Sequence, residues 1–251
     1  MRAVERVTRI LQLVSAAAPE GLTLAELSKL CVLDKATVLR ITRALCESGW
    51  LSKSKSDRAF HLGVEAWLAG RSGHDALNRM ARTAVGRLTV LSRDAGGTAY
   101  LAVRSGMDMV IVAKAGSGTD IRASASVGQR QTLAAGAAGL AYLSALEPAE
   151  GDAMVAALQS MRKAADPDLA EAIMRSRSQG YARSGGSVFY QVRAIALALK
   201  GPEGRPIGAV SLAAGAERLT ASYIEACLPM LKRTVAGIER SMIRRDSRFT
   251  E

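Results

Sequence analysis

The chain has 251 residues, 49% of them hydrophobic, which is enough apolar material for the cores of two ordinary domains. Its formal net charge of +11 points to a polyanionic partner, but residues 1–72 hold only 11 basic against 7 acidic residues, so total charge alone does not identify nucleic acid. The charged N-terminal stretch, the lack of a long apolar run and three cysteines without metal-ligand spacing lead us to expect a cytoplasmic protein, with no signal peptide, membrane span, metal or cofactor.

The first part of the chain reads as three short helices. Apolar residues at helical spacing predict an opening helix that ends near Pro19: Val4, Val7, Ile10, Leu11 and Val14. Thr23 and Glu26 have the spacing of a capping box that starts the second helix. Asp34 is the N-cap candidate of the third helix, and Gly49 supplies its left-handed stop. Together these signals predict a helix-turn-helix.

The third helix is apolar on one side and mostly basic on the other. Its outward side carries the residues that we predict to contact DNA: Lys35, Thr37, Leu39, Arg40 and Arg43. A two-stranded hairpin follows, in which we expect phosphate contacts from Lys53, Lys55 and Arg58. An isolated helix of this kind is more often a solvated amphipathic face. The adjacent basic hairpin makes a winged helix-turn-helix, and therefore DNA binding, the favoured interpretation.

A linker helix is predicted between Gly63 and Gly73. Its Trp67 suits a place in the core of the domain and a dimer contact about equally well.

The rest of the chain alternates helices and strands. The patterns predict an α+β domain whose largely antiparallel sheet carries helices on its faces. The expected helices cover residues 75–92, 133–146, 150–158, 168–179 and 220 to beyond 242, and the expected strands cover 98–104, 109–113, 121–127, 192–199 and 207–213. Several basic residues near the end of the last helix suit either a solvated face or phosphate contact.

Signatures of catalysis are missing from this second domain. The two histidines, His61 and His74, fall in the hairpin and the linker, and no GxSxG or phosphate-loop spacing occurs. We therefore do not expect an enzyme. Small residues at inner positions of the sheet favour a ligand pocket. Dense alanine and glycine packing without a cavity is the alternative.

Several blocks of sequence, in a fixed order, are similar to those of one family. They are AVERVTRILQLV, DKATVLRITRALCESGWL, FHLG, VGQRQTLAAGAAGLAYLSAL, RSQGYARSGGSVFYQVRAIALAL, GPEGRPIGAVSLAA and ERLT. Over about residues 4–242 the chain resembles the IclR-type bacterial transcription regulators. The resemblance implies a winged helix-turn-helix domain at 1–63, a dimerising linker helix at 64–74 and a GAF-like α/β effector-binding domain at 75–251. It also implies a homodimer, with dimers pairing into tetramers, that binds a double-stranded DNA operator under the control of a small-molecule effector.

The resemblance also gives the positions that line the effector site. These are Thr98, Tyr100, Leu133, Ala137, Ala138, Ser184, Ala194, Ser211 and Ala213. Where the family commonly has His, Thr and Lys, this chain has Ala134, Gly136 and Leu140; its usual acidic run is replaced by residues 184–187 (Ser-Gly-Gly-Ser), and a usual proline by Ala198. Most of the lining is small and apolar. We therefore expect a bulkier aromatic or carboxylate metabolite, held by apolar contact and a few polar groups such as the Tyr100 and Ser211 hydroxyls.

The sequence thus predicts a ligand-responsive regulator, expected to be a repressor, of a local catabolic operon with a palindromic operator. The alternative is an enzyme or a structural protein in which the helix-turn-helix is incidental.

Overall fold

The structure is a computed structural model that describes residues 3–54, 56, 58–73, 75–116, 125–161, 168–184 and 191–243. The chain forms two compact units, Met1–Asn78 and Arg79–Glu251. None of the helices in the described ranges combines the length and the hydropathy that crossing a bilayer requires.

The first unit contains four helices and a short hairpin. Its elements are α1 (Ala3–Ala16), α2 (Leu24–Cys31), α3 (Lys35–Glu47), β1 (Leu51–Lys53), β2 (Phe60–Leu62) and α4 (Val64–Gly73). The predicted capping box is confirmed, since Glu26 Oε2 accepts from the Thr23 N–H at 2.8 Å and the Glu26 N–H donates back to Thr23 Oγ1 at 3.3 Å. Asp34 caps α3 by accepting from the Thr37 N–H at 2.8 Å. These side-chain oxygens satisfy backbone donors that a helix start leaves free, so the sequence itself fixes where α2 and α3 begin.

The core of this unit lies between α1, α2, α3 and the hairpin. Its buried side chains are Ile10, Val14, Leu27, Cys31, Val38, Leu45, Leu51 and Phe60. The two strands pair antiparallel, with Ser52 opposite His61, and Leu22 forms a further bridge to Phe60. The hairpin is thereby attached to the helical core, which holds it next to the end of α3.

The second unit is built on a six-stranded sheet. Its elements are α5 (Asp75–Ala95), β3 (Thr98–Ser105), β4 (Asp108–Ala115), β5 (Arg130–Thr132), α6 (Gly136–Ser144), α7 (Pro148–Ser160), α8 (Leu169–Gln179), β6 (Ala182–Arg183), β7 (Val192–Lys200), β8 (Pro206–Gly215) and α9 (Ala221–Ile243). The strand order is β5-β4-β3-β8-β7-β6, and every neighbouring pair is antiparallel. The predicted α+β class with an antiparallel sheet is confirmed.

The strands alternate their side chains between two covered faces. One face carries Tyr100, Ala102, Ile111 and Ala213, which pack into a core with residues of α6, α7 and α8. The residues between them, such as Leu101 and Leu212, are fully buried on the opposite face, and α9 packs against β7 and β8. The first of these faces contains the cavity described below.

Three details of the second unit differ from the sequence prediction. Of the strand expected at 121–127, residues 121–124 lie outside the described residues and 125–127 are not strand. The edge position beside β4 belongs instead to β5, in which Thr132 pairs with Asp108. Helix α6 begins at Gly136 rather than Leu133, because Gly136 has a φ of +76° and Leu133 donates its N–H to the Met107 carbonyl. The short strand β6 was not predicted.

Candidate functional site

Helix α3 presents one face to solvent and buries the other. Val38, Thr42 and Leu45 are buried in the core of the first unit. The opposite face exposes Lys35, Leu39, Arg40 and Arg43. Ala36 and Ala44 are exposed with them, and the sequence prediction did not include these two positions. A small side chain here lets a partner approach the helix backbone, and a methyl group can contact a thymine methyl in a DNA major groove.

Thr37 differs from the other residues of the predicted DNA-contacting set. It is half-buried, and its hydroxyl donates to Asp34 Oδ2 at 2.7 Å. The hydrogen bonds from the Thr37 hydroxyl and N–H hold the pKa of the Asp34 carboxyl below its ordinary value. The Thr37 oxygen still has a free lone pair, so it can accept from a ligand while it supports the helix start.

The hairpin places further cations beside this helix. Lys53 is exposed at the end of β1, with its Nζ 5.4 Å from the centre of the Phe60 ring, and Arg58 is exposed with a φ of +58°. Lys55, the third predicted phosphate contact, lies outside the described residues. The first unit therefore carries a helix with an exposed basic face and a hairpin with two further exposed cations, the surface that phosphate binding requires.

The second unit contains a cavity of about 80 Å³ on the face of its sheet that α6, α7 and α8 cover. Six of the nine positions predicted for the effector line it: Tyr100, Ala138, Ser184, Ala194, Ser211 and Ala213. The sequence prediction missed the other lining residues, which are Ala102, Met109, Ile111, Ala125, Gln131, Val192 and Arg193. Ala102 and Val192 could have been found by strand alternation, since they lie two positions from Tyr100 and Ala194 on the same strands.

The other three predicted effector positions lie in the core next to the cavity instead of in its lining. Leu133 is fully buried and its backbone is covered closely by Gly139, where a Cβ atom would come within 2.1 Å of the Leu133 carbonyl oxygen. Ala137 is 3% exposed and Thr98 is 1% exposed. A side-chain hydrogen bond with Thr98 lowers the pKa of Tyr100, against the larger effect of burial.

The polar groups of the lining are few and mostly neutral. They are the Tyr100 phenol, the Gln131 amide and the hydroxyls of Ser184 and Ser211. Burial raises the pKa of Tyr100, which therefore stays protonated at neutral pH. Ser184 Oγ accepts from the Ala194 N–H at 2.8 Å.

Arg193 is the one charged residue among the described lining residues. Ala194 pairs with Ala213, and both of these line the cavity, whereas Arg193 pairs with Ala214. Because neighbouring residues of a strand point to opposite faces, the Cβ of Arg193 lies on the other face of the sheet from that of Ala194.

At two of the positions where this chain departs from the IclR pattern, the structure has buried apolar side chains. Ala134 and Leu140 are buried in the core beside the cavity. Within the described ranges, no three His, Cys, Asp or Glu side chains come together in a group that could hold a metal ion.

Comparison with known proteins places both units in one family. The IclR helix-turn-helix domain matches residues 3–55 and the bacterial transcriptional regulator IclR C-terminal domain matches residues 76–240. The HTH-type transcriptional regulator XynR of Escherichia coli (strain K12) is 26% identical over 247 residues, which are 96% of this chain and 97% of that protein.

Solved structures share the fold. An IclR transcriptional regulator from Silicibacter sp. TM1040 superposes with a TM-score of 0.71 at 23% identity, covering 95% of each chain. An IclR homologue from Microbacterium hydrocarbonoxydans, complexed with 4-hydroxybenzoate, also gives a TM-score of 0.71, at 17% identity, over 95% of this chain and 98% of that chain. Since the two family domains together cover most of the sequence, this chain belongs to the IclR family of bacterial transcriptional regulators.

Proposed function

We propose that this regulator binds a palindromic operator through α3 and the β1–β2 hairpin and represses a neighbouring catabolic operon in the cytoplasm. A small-molecule effector in the cavity of the second unit changes the affinity for that operator. The observation that carries the proposal is the exposed face of α3. Lys35, Arg40 and Arg43 stand free on a helix whose other face is fixed in the core, and no ion pair to them is found in the described parts of the chain.

The predicted roles of the DNA-contacting residues follow from their chemistry. An arginine on α3, such as Arg40, suits bidentate pairing with the edge of a guanine. Lys35, Arg43, Lys53, Lys55 and Arg58 supply charge to phosphates on either side. The base contact of Arg40 would set sequence preference, and the phosphate contacts of the other basic residues would set affinity and its dependence on salt.

The cavity supports a largely apolar effector, because most of its lining side chains are apolar. Tyr100 and Met109 offer surfaces that favour aromatic rings. The 4-hydroxybenzoate bound by the Microbacterium hydrocarbonoxydans homologue is a ligand of this general kind. We propose an aromatic metabolite as the effector.

Helix α4 supports the proposal that the protein is a homodimer. Val64 is 60% exposed, Trp67 60% and Leu68 43%, so this helix presents three large apolar side chains to solvent. With this exposure Trp67 is not a core residue of its own unit. A symmetric operator needs two reading helices about one DNA turn, or a multiple of it, apart, which a dimer joined near α4 would supply. Pairing of dimers into tetramers remains part of the proposal.

The proposed function is tested by a gel-shift titration with the DNA immediately upstream of the protein's own gene. Wild-type protein is expected to form a discrete complex that survives an excess of unrelated DNA. Arg40→Ala should weaken this complex by about 1–3 kcal/mol, or about 5- to 150-fold, because a base contact is lost. The control is Arg175→Ala, which removes an exposed arginine of α8 that forms an ion pair with Glu171 on its own helix. Equal affinities for operator and unrelated DNA, or equal effects of the two substitutions, would refute the proposal.

A further inference from the structure

The start of α4 is joined to the end of α3 by backbone contacts within the first unit. The Gly63 N–H donates to the Trp50 carbonyl at 2.8 Å, and the Glu65 N–H donates to the Gly49 carbonyl at 3.1 Å. Gly49 is the left-handed residue that follows α3, with a φ of +75°. Both hydrogen bonds are formed by the main chain, so they hold the direction of α4 against α3 whatever rotamers the side chains adopt.

Gly63 leaves no room for a side chain at this junction. A Cβ atom on Gly63 would overlap the Gly49 carbonyl oxygen and would lie 2.8 Å from the carbon of that carbonyl. These are backbone atoms, which cannot swing aside as the end of a long side chain can. The φ of Gly63 lies outside the left-handed region, so the backbone conformation does not call for glycine, and the close approach to Gly49 does.

The junction places two exposed surfaces on one rigid body. Helix α3 carries the exposed basic face, and its opposite face is fixed in the core of the unit. Helix α4 exposes Val64, Trp67 and Leu68. If a flexible stretch joined the two helices, two copies held together at α4 could turn their α3 helices independently. With the backbone contacts at Gly63, the orientation of α4 fixes the orientation of α3.

We propose that Gly63 is a positioning residue that sets the distance and the rotation between the two half-sites of the operator. This inference rests on the proposed function, since it needs a symmetric operator and a dimer joined at α4. Gly63 acts through its contact with Gly49 and not through a contact with DNA. That contact determines where each α3 points when two α4 helices are paired.

The geometry of DNA makes such a rigid joint sensitive to single base pairs. One turn of about 34 Å holds about 10 base pairs, so each added pair moves the second half-site by about 3.4 Å and rotates it by about 35°. A dimer with rigid joints cannot follow this rotation with both α3 helices at once. Binding to two half-sites can exceed binding to one by about 100- to 10,000-fold, and this gain is lost when the geometry forbids simultaneous contact.

Fluorescence anisotropy with the full-length protein measures this sensitivity. The probes are duplexes that carry the operator found upstream of the protein's own gene, either unchanged or lengthened or shortened at its centre by one or two base pairs. A further duplex carries a single half-site. We expect the wild type to bind the natural spacing at least about tenfold more tightly than any other spacing.

The substitution Gly63→Ala tests the residue, because the added methyl group must push α4 away from Gly49. Its affinity for the single half-site should stay within about threefold of wild type, since the face of α3 is unchanged. Its preference for the natural spacing should fall by at least about tenfold, or its optimum should move to another spacing. Gly86→Ala is the control. It adds the same methyl group to an exposed glycine of α5, where a Cβ atom would meet no described atom within 4 Å, and should leave the spacing preference unchanged.

The outcomes separate a positioning role from a purely structural one. A structural role of Gly63 would lower the melting temperature and weaken binding to every duplex equally, with the optimal spacing unchanged, and this result would overturn the inference. If Gly63→Ala does not fold, the wild-type series decides. A narrow optimum supports the rigid joint, and affinities within about twofold across neighbouring spacings overturn it.

The same series distinguishes this inference from the proposed function. If no duplex binds more tightly than unrelated DNA, the proposed function is wrong and the inference falls with it. If the operator is bound specifically but its spacing does not matter, the inference alone is wrong.

Discussion

Replacing Ala194 and Ala137 by leucine, one at a time, separates cavity from core. Both residues are alanines of the predicted effector set, but Ala194 lines the cavity and is half-buried, while Ala137 is 3% exposed and packed between α6 and the sheet. The same added volume therefore meets free space at one position and close-packed atoms at the other.

The expected stability changes have opposite signs. Leucine adds about three carbon atoms, and burying each contributes about 0.8 kcal/mol at most. Partial burial at the mouth of the cavity, and the lost freedom of the leucine side chain, reduce the gain at Ala194 to about 0–1 kcal/mol. Overpacking at Ala137 should cost about 1–3 kcal/mol. For a unit that spans Arg79–Glu251, each kcal/mol corresponds to about 2–4 °C in melting temperature.

Thermal and urea unfolding, followed by circular dichroism on both variants and the wild type, measure these changes. Ala194→Leu is expected to melt at or slightly above the wild-type temperature and to lose binding of aromatic probes such as 4-hydroxybenzoate, because the leucine occupies the ligand's space. Ala137→Leu should melt several degrees lower. If Ala194→Leu is destabilised as strongly as Ala137→Leu, the space beside Ala194 is ordinary packing, and the reasoning that places the effector there is refuted.

Three further changes probe the first unit. Val32 is 89% exposed and has a left-handed backbone with a φ of +53°, a conformation that asparagine tolerates better than a β-branched residue. Val32→Asn should therefore raise the free energy of unfolding by about 0.5–1 kcal/mol, measured by thermal melting. An unchanged or lower stability would show that the turn is not strained. Hydrogen bonds from Thr37 hold the pKa of the Asp34 carboxyl below its ordinary value of 3.8. The stability that this cap gives the folded state is therefore complete above pH 3.8, and it is lost as the pH falls through the lower pKa of the folded protein. In Asp34→Asn the decrease in stability at low pH should be smaller, because no carboxyl at this position is protonated. Acid unfolding followed by circular dichroism measures this difference, and an identical acid transition in both proteins would contradict it. Trp67 is exposed, so Trp67→Ala should weaken the dimer without lowering the melting temperature of the monomer. Light scattering at micromolar concentration should then give a molecular weight closer to the 26.4 kDa of the monomer. An unchanged dimer would show that α4 does not form the interface.

Local chemistry made the first unit predictable from sequence. Thr23, Glu26 and Asp34 bond to backbone groups within three residues, and such contacts can be read from spacing alone. The Gly49 stop, with a φ of +75°, is equally local.

The effector site depends on contacts that spacing does not reveal. The register that sets Ser211 between Tyr100 and Ala196 joins strands more than a hundred residues apart in the chain, and the start of α6 is fixed by the bond from Leu133 to Met107. The resemblance to the IclR-type regulators therefore predicted only the approximate location of the cavity. Which alanine lines it, and which lies behind it, required the structure.

The central claim, that α3 reads a DNA sequence, is tested most directly by the ratio of affinities for the operator and for a scrambled duplex. Fluorescence anisotropy at several salt concentrations gives both affinities for the wild type, Arg40→Ala and Lys53→Ala. We expect a wild-type ratio of at least about 1,000 at physiological salt. Arg40→Ala should lower this ratio by about tenfold or more, while Lys53→Ala weakens both duplexes equally and reduces the salt slope by about one. A ratio unchanged by Arg40→Ala would contradict the claim.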